Sequence, residues 1–587
     1  MLWSGWIPLD VNLAAFFYPN WALFRSLTSG GHLPLWDAAR NMGEPFWADP
    51  QTMAAYPLNW LAALAPDFAD FLRLWIILHT LLAAGFAAAW ARRAGRGGLP
   101  SAATAAAVAG LNGFLMARAT LPAHFATASW IYPVLYFEEA GSWRGMAFAL
   151  AMAWLAGFPP FFIVIAASVF LMAAAKDRRS LRRLLAASAA AAGLSAVQWV
   201  PFLELLGHSV RPIVLGASEA TRYSLPPVQL MRETLLPLWS ALSPRLVGDP
   251  AIVGFYVGLP ALALSIAGAI TGERRERVLA CLGAATLVLS LGSHLPGYAS
   301  TPFLRVFRFP ADWLLGAAAA AAFLAARGVQ ALPERWRGAA AAAVAADLVL
   351  FAQFPLAAWG RPAFLADEPI LAARLLATGI PPSRIFHTRR LRALWQKSGF
   401  LGEDDFLALR EFLAPSFGAA FGVPEASSYQ VLKTKAAADF LSRMNGPESE
   451  RFLDSAGVAA VVDAADGASG GPSGARVRWR RAPRMRVFLA AGRGSVRILA
   501  YRPGEVRARV RAEGQAKAVF SEIHYPGWRA RLDGREVAQG LFEGAFPEVD
   551  VPAGKHDLRF AFSPRSFWLG LAISVVSLSA IVLSILA

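Results

Sequence analysis

GWIPLDVNLAAFFYPNWALFRSLTSGGHLPLWDAARNMGEPFWADPQTMAAYPLNW, residues 5–60, is the stretch on which the reading of this chain turns. It is crowded with Trp, Tyr, Phe and Pro, and it carries Asp10, Asp37, Glu44 and Asp49. The acids make it too polar to span a bilayer, where an ionised side chain at mid-depth is costly. Its aromatic content is too high for an ordinary solvated loop. The rest of the chain is mostly apolar, so the stretch reads as a segment on the outer membrane face that forms the floor of an active site.

The 587 residues are 56% hydrophobic and only 16% charged, with a mean hydropathy of +0.43. Soluble domains carry about 25% charged residues, so a soluble protein is excluded. In a membrane protein the net charge of +16 reads as basic cytoplasmic loops and not as a nucleic-acid surface. The lone Cys281 sits in an apolar run, which excludes a disulfide framework and a Cys-based metal site. The first residues lack a basic region followed by an apolar core, so no cleavable signal peptide is expected.

A spanning helix needs about 20 mainly apolar residues. Eleven runs qualify: 72–91, 100–118, 126–140, 144–157, 158–175, 184–203, 251–271, 277–293, 311–327, 338–357 and 565–586. The break at Phe158-Pro159-Pro160 separates two of them, because proline cannot continue the hydrogen-bond ladder. With these spans the basic clusters 92–96, 176–183, 274–277 and 335–337 fall on one side, the cytoplasmic one. Residues 1–71, with six acids against Arg25 and Arg40, fall outside. An external stretch of that length is expected to follow an earlier helix, so the first span reads as missing.

Four regions follow: 1–71, an external loop with interfacial helices; 72–357, a transmembrane helical domain; 358–562, an extracytoplasmic domain; and 563–587, a final transmembrane helix. The third begins as α/β. DEPILAARLLATG (367–379) and DDFLALREFL (404–413) read as amphipathic helices, and 450–465 as a helix running into a buried strand. It ends as β: EVRARVRAEG alternates, and two runs flank an Asp533-Gly534 turn, as in a β-sandwich. The composition around 464–475 marks a loop.

Several pieces together resemble the YfhO family of bacterial membrane proteins, within the C-type (GT-C) glycosyltransferases. They are PLDVNLAAFFYPNW, GGHLPLWDAARNMGEPFWADPQTMAAYPLNWL, FYVGLPALAL (255–264), FLRVFRFPADWLLGAAAAAAFLAARGV (303–329), FGVPEASSYQVL (421–432), LDSAGVAAVV (453–462), RAPRMRVF (481–488), and HYPGWRARLDGREV followed by VPAGKHDLRFAFSPRSFWLG (524–570). The resemblance implies a polytopic helical fold with an external domain ahead of the last helix. It also implies transfer of a sugar from a polyprenyl-phosphate donor to a cell-envelope glycan or glycopolymer at the outer face of the plasma membrane. A carboxylate in the first external loop serves that superfamily as base or metal contact, and Asp10 matches the position.

Such a transfer needs a base for the acceptor hydroxyl, positive charge for the leaving phosphate, and an opening for the lipid. Asp10 suits the first role, in an aromatic setting that would raise its pKa; the alternative is an N-cap for VNLAAFFYPNW. Asp37, Glu44 and Asp49 are candidates for sugar hydroxyls or a divalent cation, or else turn caps. His124 could bind phosphate or a hydroxyl, or be structural. Arg308, in RVFRFP, could meet the lipid phosphate bidentately, or anchor at headgroups. Trp36 and Trp47 could stack on sugar rings, or belong to an interfacial aromatic belt. No phosphate-binding loop and no DxD pair occurs, which favours a lipid-linked donor over a nucleotide one. A flippase for lipid-linked glycans and a non-catalytic glycan-binding membrane protein are the alternatives; spans nearly free of charge speak against transport.

Overall fold

The computed structural model describes residues 7–62, 64–95, 98–235, 249–352, 358–360, 365, 367–379, 381–397, 403–414, 416–464 and 475–586. The loop expected around 464–475 therefore lies almost wholly outside the described residues. The protein is a multi-pass membrane protein, mostly helical, with its sheets gathered toward the C-terminus. Among the described residues five helices are long and apolar enough to cross a membrane: Phe68–Ala94, Leu99–Thr120, Pro159–Lys176, Pro310–Ala331 and Arg565–Ser584. A sixth span results if the bent pair Arg178–Leu194 and Ala196–His208 counts as one.

The other runs that the sequence marks as spans fold into shorter or more polar helices, among them Ile131–Ala140, Trp143–Leu155, Leu259–Thr271 and Glu334–Phe351. Thirteen residues make about 20 Å of helix, short of a hydrocarbon core of about 30 Å. The interruptions have local causes. Pro159 takes the first helical position after the Trp143–Leu155 helix has ended, where its missing N–H costs nothing. At the next break, Asn112 ends one helix and accepts from the Leu115 N–H to start another.

At the third break the chain bends by 75°. There Ser574 of the last helix accepts from the Val197 N–H (2.9 Å) and donates to the Gly193 carbonyl (3.1 Å). In lipid, freed backbone groups must find such partners inside the protein. Small residues set the helix spacing. A Cβ on Gly268 would stand 2.0 Å from the Leu324 carbonyl oxygen, and one on Gly328 1.9 Å from that of Leu264. Helices Leu259–Thr271 and Leu314–Ala331 thus touch backbone to backbone, the close packing that Gly and Ala permit.

Three basic clusters meet at one end of the bundle. Arg275 donates to the Ala94 carbonyl and pairs with Glu139, which also pairs with Lys176. Arg335 and Arg337 follow the helix Pro310–Ala331, whose start packs beside Gly292, beyond the far end of Arg274–Leu289.

At the opposite end the opening stretch grips the C-terminal unit. Ile7–Leu9 pairs antiparallel with Ala358–Gly360. Two antiparallel sheets form a sandwich. The five-stranded one holds, in spatial order, Arg535–Val537, Trp528–Leu532, Gly554–Phe562, Glu505–Ala512 and Gly494–Arg502. The four-stranded one holds Gly540–Phe542, Phe546–Val551, Ala516–Phe520 and Val487–Ala491. Alternation drives the first sheet: Val506, Ala508, Val510 and Ala512 point into the shared core, while the arginines between them point out. The four-stranded sheet is covered on its other face by helices Lys435–Met444 and Ser449–Ser455. Asp533-Gly534 makes the expected turn between Trp528–Leu532 and Arg535–Val537.

Trp36 is part of this sandwich. Its ring packs against Trp528 (5.1 Å, edge-on) and Phe562 (4.6 Å), and its Nε1 donates to Glu522. Gly43, at φ +110°, passes beneath the ring, where a Cβ would come within 2.5 Å of it. Trp36→Ala is expected to cost about 3–5 kcal/mol, read as a lower unfolding temperature together with faster proteolysis of the C-terminal unit.

Candidate functional site

Asp10 starts the helical run of the opening stretch. Its Oδ1 accepts from the backbone N–H of Asn12 (2.8 Å) and Leu13 (3.0 Å). It therefore caps the helix, as one sequence reading anticipates. Capping favours the ionised form, yet burial, and then the neighbouring Asp249, push the pKa up to about 7. The carboxylate is enclosed by protein on most sides but still reached by solvent. It is a largely enclosed acid, poised to exchange a proton near neutrality.

A phenol and several cations gather near it. Tyr429 stands edge-on to Phe16 (6.3 Å), within electrostatic reach of Asp10, Arg308 and Arg222. Burial holds its hydroxyl above the usual range. Arg211 faces Arg308, and burial together with that like charge lowers its pKa; Glu219 and Asp49 oppose the effect. Arg308 pairs loosely with Glu219 (3.5 Å) and lies over Phe309. Arg305 donates to the Leu215 carbonyl (2.7 Å), which pins the 209–225 loop against the segment before helix Pro310–Ala331. Two guanidiniums within electrostatic reach of each other, one of them largely buried, favour an anion between them.

Behind this layer sits a second group that sequence reasoning missed. Arg118 is buried, with its guanidinium 3.6 Å from the Phe114 ring centroid and Nη1 donating to the Phe114 carbonyl (2.9 Å). It lies within electrostatic reach of Asp249 and Asp312. Asp312 is 1% exposed, and neither of its carboxylate oxygens has a hydrogen-bond partner among the described residues. Asp249 accepts from the Ala251 N–H (2.9 Å). One signal could have found Arg118: it is the single Arg, Lys, Asp or Glu between Leu99 and Phe137.

The remaining candidates separate. Asp49 lies within electrostatic reach of Arg211: Oδ1 accepts from the Gln51 N–H (2.9 Å), Oδ2 accepts from Gln430 Nε2 (2.9 Å), and burial lifts its pKa to about 6. His124 is buried beside Arg118, stacked on Phe158 at 3.5 Å; burial, then Arg118, hold it well below the usual histidine range, so it is neutral. Asp37 and Glu44 are buried around Arg40, at 2.5 and 3.5 Å, and are shut off from solvent. Three- and four-residue spacing in a tight turn brings all three together. Trp36 belongs to the sandwich core. Trp47 is fixed by the Val197 carbonyl (3.0 Å) and by Phe567 of the last helix. Neither ring is open for a sugar to stack on. Among the described residues no group of three or more His, Cys, Asp or Glu could hold a metal ion.

No protein-family model and no curated protein matches the chain. Among solved structures it is similar to the arabinofuranosyltransferase AftD from mycobacteria, determined by single-particle cryo-EM, with a TM-score of 0.50 and 13% identity. The likeness covers 96% of this chain and 39% of that one. A mutant of the same protein gives a TM-score of 0.44 at 15% identity, over 96% and 41% of the two chains. This chain thus spans well under half the length of the solved protein it matches, and what it shares with that protein is its fold.

Proposed function

We propose that this protein is a membrane glycosyltransferase of the cell envelope. It transfers a sugar from a polyprenyl-phosphate donor to a glycan or glycopolymer acceptor on the outer face of the plasma membrane. The observation that carries the reading is the cluster around Tyr429, which lies within electrostatic reach both of a partly exposed Asp10, with its pKa raised to about 7, and of the cations Arg211, Arg222 and Arg308. Asp10 removes the proton from the acceptor hydroxyl as that oxygen attacks the anomeric carbon. The bond from that carbon to the phosphate oxygen breaks, and Arg308 and Arg211 receive the charge of the leaving polyprenyl phosphate. Asp49 and Gln430 orient sugar hydroxyls. In this reading the basic end of the bundle is cytoplasmic, and the Asp10 site and the sandwich lie outside.

The pieces that resemble YfhO proteins include the segments bearing Asp10, Asp49, Arg308 and Tyr429. The fold similarity supports the C-type assignment at the level of architecture. The test is transfer of a labelled sugar from polyprenyl phosphate to an envelope-derived acceptor by the purified chain in lipid vesicles. A base must be ionised, so kcat/KM is expected to rise with pH to a plateau above about 7 and to be lost as pH falls through that value. A rate that is flat from pH 5.5 to 8.5 would remove Asp10 as the base.

A further inference from the structure

The outer face of the five-stranded sheet is a strip of cations. Residues 475–565 hold nineteen of the chain's Lys and Arg against nine acids, so much of the net charge of +16 lies here and not in the loops between spans. Alternation along the strands sends these side chains outward, and register then sets like charges face to face. Arg531 stands opposite Arg559, Arg559 opposite Arg507, Lys555 opposite Arg511, and Arg497 opposite Arg509. Directly opposed like charges destabilise a sheet.

Acids within the strip offset part of this. Glu505 pairs with Arg507 (2.9 Å) and Arg559 (2.7 Å), and Asp557 with Arg509 (3.0 Å). Arg497, Arg511, Arg529, Arg531 and Lys555 have no ion pair among the described residues. Two shallow depressions, of about 220 and 480 Å³, open on this face. One is lined by Arg529, Arg531, Arg559 and Ser563 and the other includes Arg497, Arg511, Lys555 and Asp557.

We infer that this strip binds an acidic polysaccharide, a chain carrying carboxylate or phosphate groups among its hydroxyls. Charge complementarity assigns the anions to the unpaired cations. Asp533, Asp557 and Ser495 sit among those cations and accept from hydroxyls. Interspersed carboxylates suit a ligand of mixed chemistry and would repel a dense phosphate array. Among the described residues lining the two depressions there is no Phe, Tyr or Trp on which a nucleobase could stack, and the imidazole of His556 is held by Asp533 (2.8 Å). The sheet's Gly504 and Phe562 end is anchored on Trp36. From Ala561 to Lys555 the strip runs about 20 Å away from that anchor, beyond the Debye length of about 8 Å over which headgroup charge acts. An elongated polymer matches that extent better than the edge of a bilayer does.

The full chain in detergent micelles, titrated with polygalacturonate, tests this, with neutral dextran as control. Wild type is expected to bind the acidic polymer, to ignore dextran and to release the polymer in about 0.5 M salt. Arg497→Gln, Arg511→Gln and Arg531→Gln together are expected to weaken binding at least about 10-fold. The unfolding temperature should hold or rise, since opposed like charges are removed. Arg178→Gln with Arg179→Gln, at the other end of the bundle, should bind as wild type. Wild-type binding by the triple variant, or an equal loss in the double one, overturns the proposal. So does a triple variant that keeps the polymer and loses only vesicles containing phosphatidylglycerol, which would make the strip a lipid contact.

Discussion

Asp10→Asn is expected to lower sugar transfer by about 10²–10⁴-fold while leaving membrane insertion and thermal unfolding at wild-type values. The substitution separates the two things this residue does. An asparagine oxygen still accepts from the Asn12 and Leu13 N–H groups, so the helix keeps its cap. Removing the charge also relieves the repulsion with Asp249 that helps raise the pKa of Asp10. Stability therefore holds or rises slightly. What disappears is the capacity to take a proton, and only a transferase that uses Asp10 as base loses turnover in consequence. A non-catalytic glycan-binding protein would be indifferent to the change, and so would a flippase that uses Asp10 only as a cap.

Arg40→Met is expected to have the largest effect on stability. The guanidinium is buried with Asp37 and Glu44 and also donates to Asn20 (2.6 Å). Removing one partner from a buried ion-paired group typically costs about 3–5 kcal/mol, because the others are left charged without compensation. The neighbourhood makes the loss global. Asn41 accepts from the Ser428 N–H (3.0 Å), the Met42 carbonyl accepts from Ile523, and the Ala39 carbonyl accepts from Glu425. The turn around Arg40 is therefore the joint between the opening stretch and the C-terminal unit.

The loss should depend on pH. Burial already lifts Glu44 to about 7, and without Arg40 it rises further. Between the ordinary carboxylate value and that raised one, the folded state holds protons that the unfolded state has lost. Stability then falls as pH rises. The unfolding temperature of the variant should drop more at pH 8 than at pH 6, and proteolysis should release the C-terminal unit first at the higher pH. An equal drop at both values would show that Arg40 acts through packing alone.

The parts of this architecture that were legible in the sequence are those in which a local period decides the outcome. EVRARVRA alternates and forms a strand, the uncharged run 565–586 forms a helix, and Asp533-Gly534 forms a turn. Asp10 stood out because one reading, the helix cap, is purely local and a second, chemical one came from resemblance. The cap is the contact its carboxylate makes, and the chemical role is the one proposed above.

What stayed hidden depends on long-range contacts. Trp36 reads as a surface aromatic until Glu522, 486 residues away, accepts its N–H. Asp37 and Glu44 read as open acids because nothing in the sequence shows that their turn is buried beneath Glu425 and Ser428. Run length alone could not reveal the bend after Leu194, which depends on Ser574 reaching its backbone from the last helix. Arg211 meets Arg308 across nearly a hundred residues, and Arg118 meets Asp312 across almost two hundred. Such pairs follow from the packing of helices, and no spacing rule points to them.

The most direct measurement follows the lipid product. Wild-type and Asp10→Asn chains are reconstituted in matched vesicles with a polyprenyl-phosphate sugar and an envelope glycan acceptor, and free polyprenyl phosphate is quantified over time by mass spectrometry. The glycosyl-transfer account predicts release by wild type in step with lengthening of the acceptor, and almost none by Asp10→Asn. Equal release by the two proteins, or movement of intact sugar-lipid across the bilayer without release, would contradict it.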